Sequence, residues 1–227
     1  MIACIITRYK EYIDWIDFIE KFVDIFYIYN KGPDENLFKN LVLTPELSNK
    51  IKIIKLENIG RIDHTLTYHI VNNWDSLEET IINLPASVLM CRLKGSYLSA
   101  IRKRLHQLDR WNGFYSPRFR KVDNFNYSID NYQAEGACNR NDNPFIKSEY
   151  PDFLTWKSAI IDDLPMKCVA MRGMFVVNRE NIKFISKEIY ERMLISLSVG
   201  DNIENGHFAE RIWGHLFTRS KLNTVQG

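Results

Sequence analysis

Residues 57–89, ENIGRIDHTLTYHIVNNWDSLEETIINLPASVL, restrict what this chain can fold into more than any other stretch. They parse as a glycine-bearing loop, a helix over residues 63–73, a break at 74–77 and a short buried strand ending at Pro85. Leu66, Ile70 and Trp74 recur every four residues and face a core, whereas Arg61, His64 and Tyr68 recur at three and four on another face. Asp63 is placed to cap the helix, because its carboxylate can accept from an unpaired first-turn amide. A turn with Gly60 and Arg61 that opens a helix lets backbone amides and a guanidinium meet an anion, so a phosphate group is the ligand expected there.

The flanking sequence sets this stretch in an α/β frame. An apolar run over residues 1–7 meets Arg8, Tyr9 and Lys10, as a strand buried on both faces does at its polar end. Residues 13–22 follow as a helix with Ile13, Ile16 and Phe22 inward. Residues 24–30 (DIFYIYN) form a second strand that ends in an Asn30-Lys31-Gly32-Pro33 turn, and residues 50–56 (KIKIIKL) form a third. Strand, helix, strand, strand, helix, strand implies a central sheet that is mixed but mostly parallel, flanked by helices. Ligands of such sheets bind outside the carboxyl ends of the strands. Thr7, Arg8, Asn30, Lys31, Gly60, Arg61 and Ser87 all fall there.

Residues 92–111 read as an amphipathic helix with Leu98, Ile101, Leu105 and Leu108 inward and Arg102, Lys103 and Arg104 outward, either as a solvated basic face or in contact with phosphates of a donor or a nucleic acid. Residues 113–165 lack periodicity, which suits a lid or binding loop, and their rings at Phe114, Tyr115, Tyr127, Tyr132 and Trp156 either stack on sugars or anchor the loop. Strand character returns in CVAMRGMFVV, where Gly173 permits a close approach. A last helix over residues 204–217 buries Phe208, Ile212, Trp213 and Leu216 and turns His207, Glu210, Arg211 and Gly214 to its other side.

Composition excludes several classes. Thirty basic against twenty-eight acidic residues leave a net charge of +2, too balanced for a dedicated nucleic-acid or membrane-surface binder. The four cysteines stand far apart with no C-x-x-C pair, which argues against a zinc site or a disulfide scaffold and for a reduced compartment, the cytoplasm. No apolar run approaches the ~18 residues of a spanning helix. The 227 residues are expected to form one domain, with residues 1–90 binding a nucleotide and 91–227 an acceptor.

Six motifs in order, TRYKEYIDWI, IYNKG, NIGRIDHTLTYHI, INLPAS, RGMFVV and ENGHFAERIW, resemble glycosyltransferases of the GT-A fold, a Rossmann-like architecture. The resemblance is to the capsular-polysaccharide and large-DNA-virus type, including those of chlorella viruses. It implies a UDP-sugar donor, a divalent ion such as Mn²⁺ or Mg²⁺, a glycan or glycoprotein acceptor, and a location in the cytoplasm, the host's for a virus-encoded chain. Carried over by position, Thr7, Arg8 and Tyr9 lie near base and ribose, with Asn30 and Lys31 beside them. Gly60, Arg61, Asp63 and His64 lie toward ribose and diphosphate, Ser87 touches the diphosphate or a metal-bound water, and Glu210 is the base, with Arg211 keeping it ionised and His207 either orienting it or meeting the diphosphate. Where that family carries Asp-x-Asp, this chain has Pro85-Ala86-Ser87, which leaves the metal ligands open, with Asp75 or His207 as substitutes. Other carboxylates placed to serve as base are Glu135, Asp142 and Glu204. Nucleotidyl transfer would require glycines directly after the first strand, which Thr7-Arg8-Tyr9 lacks. A degenerate glycan- or nucleic-acid-binding module is the alternative to an enzyme.

Overall fold

Apolar residues on both faces let the first strands pair side by side in parallel, because no edge of theirs needs water on either face. In the computed structural model, β1 (Ile2–Arg8) pairs in parallel with β2 (Ile25–Asn30) and with β4 (Thr80–Pro85), and β2 pairs in parallel with β3 (Ile51–Lys55). Residues 1–34, 36–90, 92–107, 113–129 and 145–218 are described. The sheet has six strands because β8 (Phe175–Asn178) adds antiparallel to β4, and β5 (Phe114–Tyr115) antiparallel to β8. The order β3-β2-β1-β4-β8-β5 is that of a mixed α/β sheet compatible with a Rossmann-like fold. It draws strands from both sides of residue 90. A separate pair, β6 (Phe119–Lys121) with β7 (Cys168–Ala170), lies outside it.

Strand alternation sorts the core onto two faces. Ile5, Ile81, Phe175 and Val177 pack with Leu66 and Ile70 of α2 (Arg61–Asn72), with α6 (Lys187–Leu197), and with Phe208, Ile212 and Trp213 of α7 (Glu204–Phe217). Cys4, Ile6, Phe26, Ile28, Ile82 and Val176 face the other way, onto Leu98 and Ile101 of α3 (Arg92–Leu105). The remaining helices are short: α1 (Pro45–Lys50), α4 (Phe153–Ile160) and α5 (Arg179–Lys183). Among the described residues no helix is long and apolar enough to cross a membrane.

Several expectations change. The helix expected over residues 13–22 is two 3₁₀ turns, Asp14–Phe18 and Glu20–Phe22. Its buried isoleucines, 13, 16 and 19, recur every three residues, which is the repeat of a 3₁₀ turn and not of an α-helix. Asp63 is not the cap of α2. That role falls to Gly60 in the left-handed region (φ 60°), and the helix starts at Arg61, which itself has φ 58°. Arg102 and Arg104 do not form a solvated face, since their guanidiniums lie 4.1 Å from the Phe18 ring centre and 5.6 Å from that of Tyr115. Phe114 and Trp156 anchor the core, Phe114 against Phe175 and Phe217 and Trp156 against Phe208, so neither ring is free to stack on a sugar. The CVAMRGMFVV run is two strands in two different sheets, joined by a turn with Arg172 and Gly173 both at positive φ. Leu108, Tyr132, Glu135 and Asp142 lie outside the described residues.

Candidate functional site

Parallel order 3-2-1-4 places a topological switch point between the carboxyl ends of β1 and β4. A cleft of about 480 Å³ opens there, lined by Tyr9, Lys10, Glu11, Tyr12, Ala86, Leu89 and Met90. That volume is in the range of small-molecule sites. Two contacts shape it. The Trp15 indole donates to the Ala86 carbonyl (3.0 Å), and Gly32 comes so close to Tyr9 that a Cβ would lie 1.6 Å from the Tyr9 carbonyl oxygen. A side chain at position 32 would therefore displace the Tyr9 loop.

The three residues assigned to base and ribose diverge at this edge. Tyr9 is 38% exposed and lines the cleft. Thr7 lies on the α2 face by alternation from Ile5, and its buried hydroxyl has no partner. Arg8 is fully buried toward the opposite face, where it donates to Glu11 O (2.9 Å), Asn30 Oδ1 (2.8 Å) and Pro33 O (2.9 Å). Asn30 in turn donates to Asp34 Oδ1 at 2.8 Å. Arg8 and Asn30 thus brace the loops after β1 and β2 and do not line the cleft. Lys31 is also inward, donating to the carbonyls of Ile59 and Arg61 (2.7 Å to the latter), and burial pushes its ammonium down to about 7.

A second group converges between α2 and α7. Arg61 Nη1 lies 2.7 Å from His207 Nε2. A guanidinium only donates, so Nε2 accepts and the ring is neutral. Burial, then the Arg61 and Arg211 charges, hold His207 down to about 3. Burial and then Lys31 hold His64 down to about 4, and its Nδ1 has no partner. Arg211 donates to the His207 carbonyl (2.6 Å) and lies 3.8 Å over the Tyr127 ring. Glu210 is held at 2.5 Å by the Arg172 amide and stands 3.8 Å from Arg211. Asp63 is buried, and its Oδ1 accepts the Trp213 indole N–H at 2.7 Å. Burial and then Glu210 push the Asp63 carboxyl up to about 7.

The structure therefore brings Arg61, Asp63, His207, Glu210 and Arg211 together, whereas His64 turns toward Lys31 and Tyr68. Gly60, however, is closed to an anion: its amide donates to Gly200 O at 2.6 Å, and a Cβ there would lie 2.4 Å from both His64 Cβ and the Leu197 carbonyl. Glu204 is committed to the loop, accepting the amides of Ile129 and Ser148 at 3.1 Å each. Sequence reading missed Asn83, whose amide donates to Gly173 O (2.7 Å) while its oxygen is unpartnered, because one asparagine inside an apolar strand carries no periodic signal. It also missed Trp213 as the Asp63 donor and the Lys10, Glu11 and Tyr12 lining of the cleft. The charged and aromatic YKEY directly after β1 is the signal for the last of these.

Among the described residues, the side chains at the β4 end do not suit a hard divalent cation. At the β4 end Lys94 Nζ donates to Ser87 Oγ at 2.8 Å, which puts an ammonium where the family pattern has carboxylates. Asp75 follows the carboxyl end of α2 and precedes β4, at the opposite edge of the sheet, and His207 is flanked by two guanidiniums. Among the described residues no group of three or more His, Cys, Asp or Glu is placed to hold a metal. Comparison of the chain with family models, with curated proteins and with solved structures finds no match to any of them.

Proposed function

We propose that this chain has a GT-A fold and transfers a sugar from a nucleotide-sugar donor, of the UDP type, to a glycan or glycoprotein acceptor. The observation that carries this reading is the cleft at the β1/β4 switch point. Tyr9 and Tyr12 give it flat apolar walls for a base, and α2 and α7 bring Glu210 to a polar cluster over the same sheet. In the reaction Glu210 takes the acceptor hydroxyl proton as that oxygen attacks the anomeric carbon. The bond from that carbon to the diphosphate oxygen breaks, and its electron pair leaves with the diphosphate. The Arg172 amide fixes one Glu210 oxygen, and the carboxylate is 24% exposed, so it is both oriented and reachable.

A catalytically silent glycan-binding module is the second reading, favoured by the missing carboxylates at the β4 end. Thermal shift with UDP, GDP, CMP and their sugars, followed by turnover of the best donor, separates the two. One nucleotide is expected to stabilise the protein selectively. Glu210→Gln is then expected to leave donor affinity within about threefold while lowering kcat by ~10²-fold or more. Donor binding without any turnover selects the silent module, and an unchanged kcat removes Glu210 as the base.

A further inference from the structure

Two guanidiniums are fixed on one residue. From α2, Arg61 Nη1 donates to His207 Nε2 at 2.7 Å, and within α7, Arg211 Nη1 donates to the His207 carbonyl at 2.6 Å. Arg211 is only 5% exposed, and its Nε reaches no acceptor. Among the described residues the carboxylate beside it is Glu210, whose Oε2 stands 3.8 Å from Nη1, beyond hydrogen-bond length, while Oε1 is taken by the Arg172 amide. No described carboxylate is hydrogen-bonded to either guanidinium. We infer that Arg61 and Arg211 bind an oxyanion, a carboxylate or a phosphate, carried by the acceptor sugar, which makes the acceptor an acidic glycan. The inference rests on the nucleotide-sugar reading for the ligand's role as acceptor, but not for the anion site itself.

Charge and reaction geometry carry the argument together. A cation taken out of water is costly unless a hydrogen-bonded anion compensates it. His207 cannot do so, because its ring is neutral and each guanidinium only donates to it. Asp63 accepts from Trp213, and with its carboxyl pushed up to about 7 it carries only part of a negative charge near neutral pH. The Tyr127 ring lies 3.8 Å under the Arg211 guanidinium, which occupies the face of that group and leaves its N–H edge for a planar oxyanion. Arg61 is half-buried and Glu210 is 24% exposed, so a ligand reaches the group from their side. In a single displacement the attacking and leaving oxygens lie on opposite faces of the sugar. Glu210, the base in that reading, is beside Arg211, so the guanidiniums belong to the attacking side and the leaving diphosphate to the far one. An anion bound there is therefore part of the acceptor.

The test measures affinity of the full chain for methyl glucuronide, glucose 6-phosphate and the neutral methyl glucoside by calorimetry, each with and without saturating UDP. At least one acidic sugar is expected to bind about tenfold or more tightly than methyl glucoside, and UDP to leave that affinity unchanged or improved. Arg61→Met is expected to remove most of this preference while leaving methyl glucoside within about twofold, and Arg61→Lys, which keeps the charge without the fork, to restore part of it. Glu210→Gln removes a negative charge from beside Arg211 and is expected to tighten the acidic sugar about threefold or more, with methyl glucoside unchanged. A purely structural cluster does not produce that gain, so this variant decides the matter even if Arg61→Met fails to fold. No preference for an acidic sugar, a preference that survives Arg61→Met, an acidic-sugar affinity that Glu210→Gln leaves unchanged or weakens, or displacement of the acidic sugar by UDP overturns the inference; the last assigns the guanidiniums to donor phosphates. Acidic-sugar binding that depends on Arg61, with no nucleotide of the wider panel bound, retires the nucleotide-sugar reading and leaves the anion site standing. Transfer to methyl glucoside as readily as to methyl glucuronide keeps that reading and sinks this one.

Discussion

Asp63 is a carboxyl group buried beside a carboxylate, and its energetics follow from that placement. The Trp213 indole donates to it, and burial and then Glu210 push its folded value up to about 7, well above the ordinary carboxyl range. A carboxyl whose folded value is raised gives stability that is fully present below the unfolded value and is lost as pH climbs to the folded one. Asp63→Asn keeps an oxygen for Trp213 and removes the titration. The variant is therefore expected to gain on wild type between pH 4 and pH 8 by ~1–4 kcal/mol and to hold that gain above it, as read from urea unfolding at several pH values. His64 and His207, both held down, pull the other way below their ordinary value, but they are present in both proteins and cancel in the difference. A difference independent of pH would place the Asp63 carboxyl at its ordinary value. Asp63 was visible in the sequence as a polar residue at a helix start, and Arg61, His207 and Glu210 by their spacing of three and four. What spacing did not supply was direction. Arg8 and Lys31 sit at strand ends like site residues, yet their long side chains turn inward to loop carbonyls, a choice made by backbone groups distant in sequence.

At the scale of elements, β1 to β4 were legible because each is a short apolar run ended by polar or turn residues, whereas β5 and β6, two and three residues long, and α4 lie in the stretch 113–165 that reads as aperiodic. The helices were legible where their apolar spacing was three and four. The turns between residues 14 and 22 escaped because Ile13, Ile16 and Ile19 also satisfy a helix read loosely, and only the exact spacing of three distinguishes them. The break between β7 and β8 escaped for a different reason. Both strands are apolar, and which sheet each joins is set by partners, β6 for one and β4 for the other, that lie far along the chain. The start of α2 is the most constrained joint. Gly60 combines a left-handed backbone with contact to both His64 and the end of α6, so Gly60→Ala strains the turn and pushes two elements apart. The expected loss is about 3 kcal/mol, a fall in Tm of roughly 6–12 °C for a domain of this size. A fall under about 2 °C would show that the turn relaxes around the methyl group.

Among the described residues the six-stranded sheet carries a core on each face, and neighbouring residues of the same strand serve both. On β1, Ile5 belongs to the α2/α7 side and Cys4 and Ile6 to the α3 side. On β8, Phe175 and Val177 face one core and Val176 the other. Because the side-chain period of a strand is two residues, a strand that slips or leaves withdraws from both cores together. Residues 1–90 gain no independence from having four strands, since β8 borders β4 and Phe208, Ile212 and Trp213 cover their α2 face. One cooperative unfolding transition is the consequence. Two buried thiols report on it from opposite faces: Cys4 in β1 against the α3 core, and Cys168 in β7, whose Sγ lies 3.2 Å from Thr218 Oγ1 at the end of α7. Burial raises the pKa of both, and a thiol that keeps its proton and has no access to solvent alkylates slowly. Iodoacetamide labelling through a urea series, resolved peptide by peptide by mass spectrometry, is expected to give the same midpoint for Cys4 and Cys168. Labelling of Cys168 at distinctly lower urea would mean that α7 and the β6–β7 pair detach while β1 remains protected, and the two faces would then be separate cooperative units.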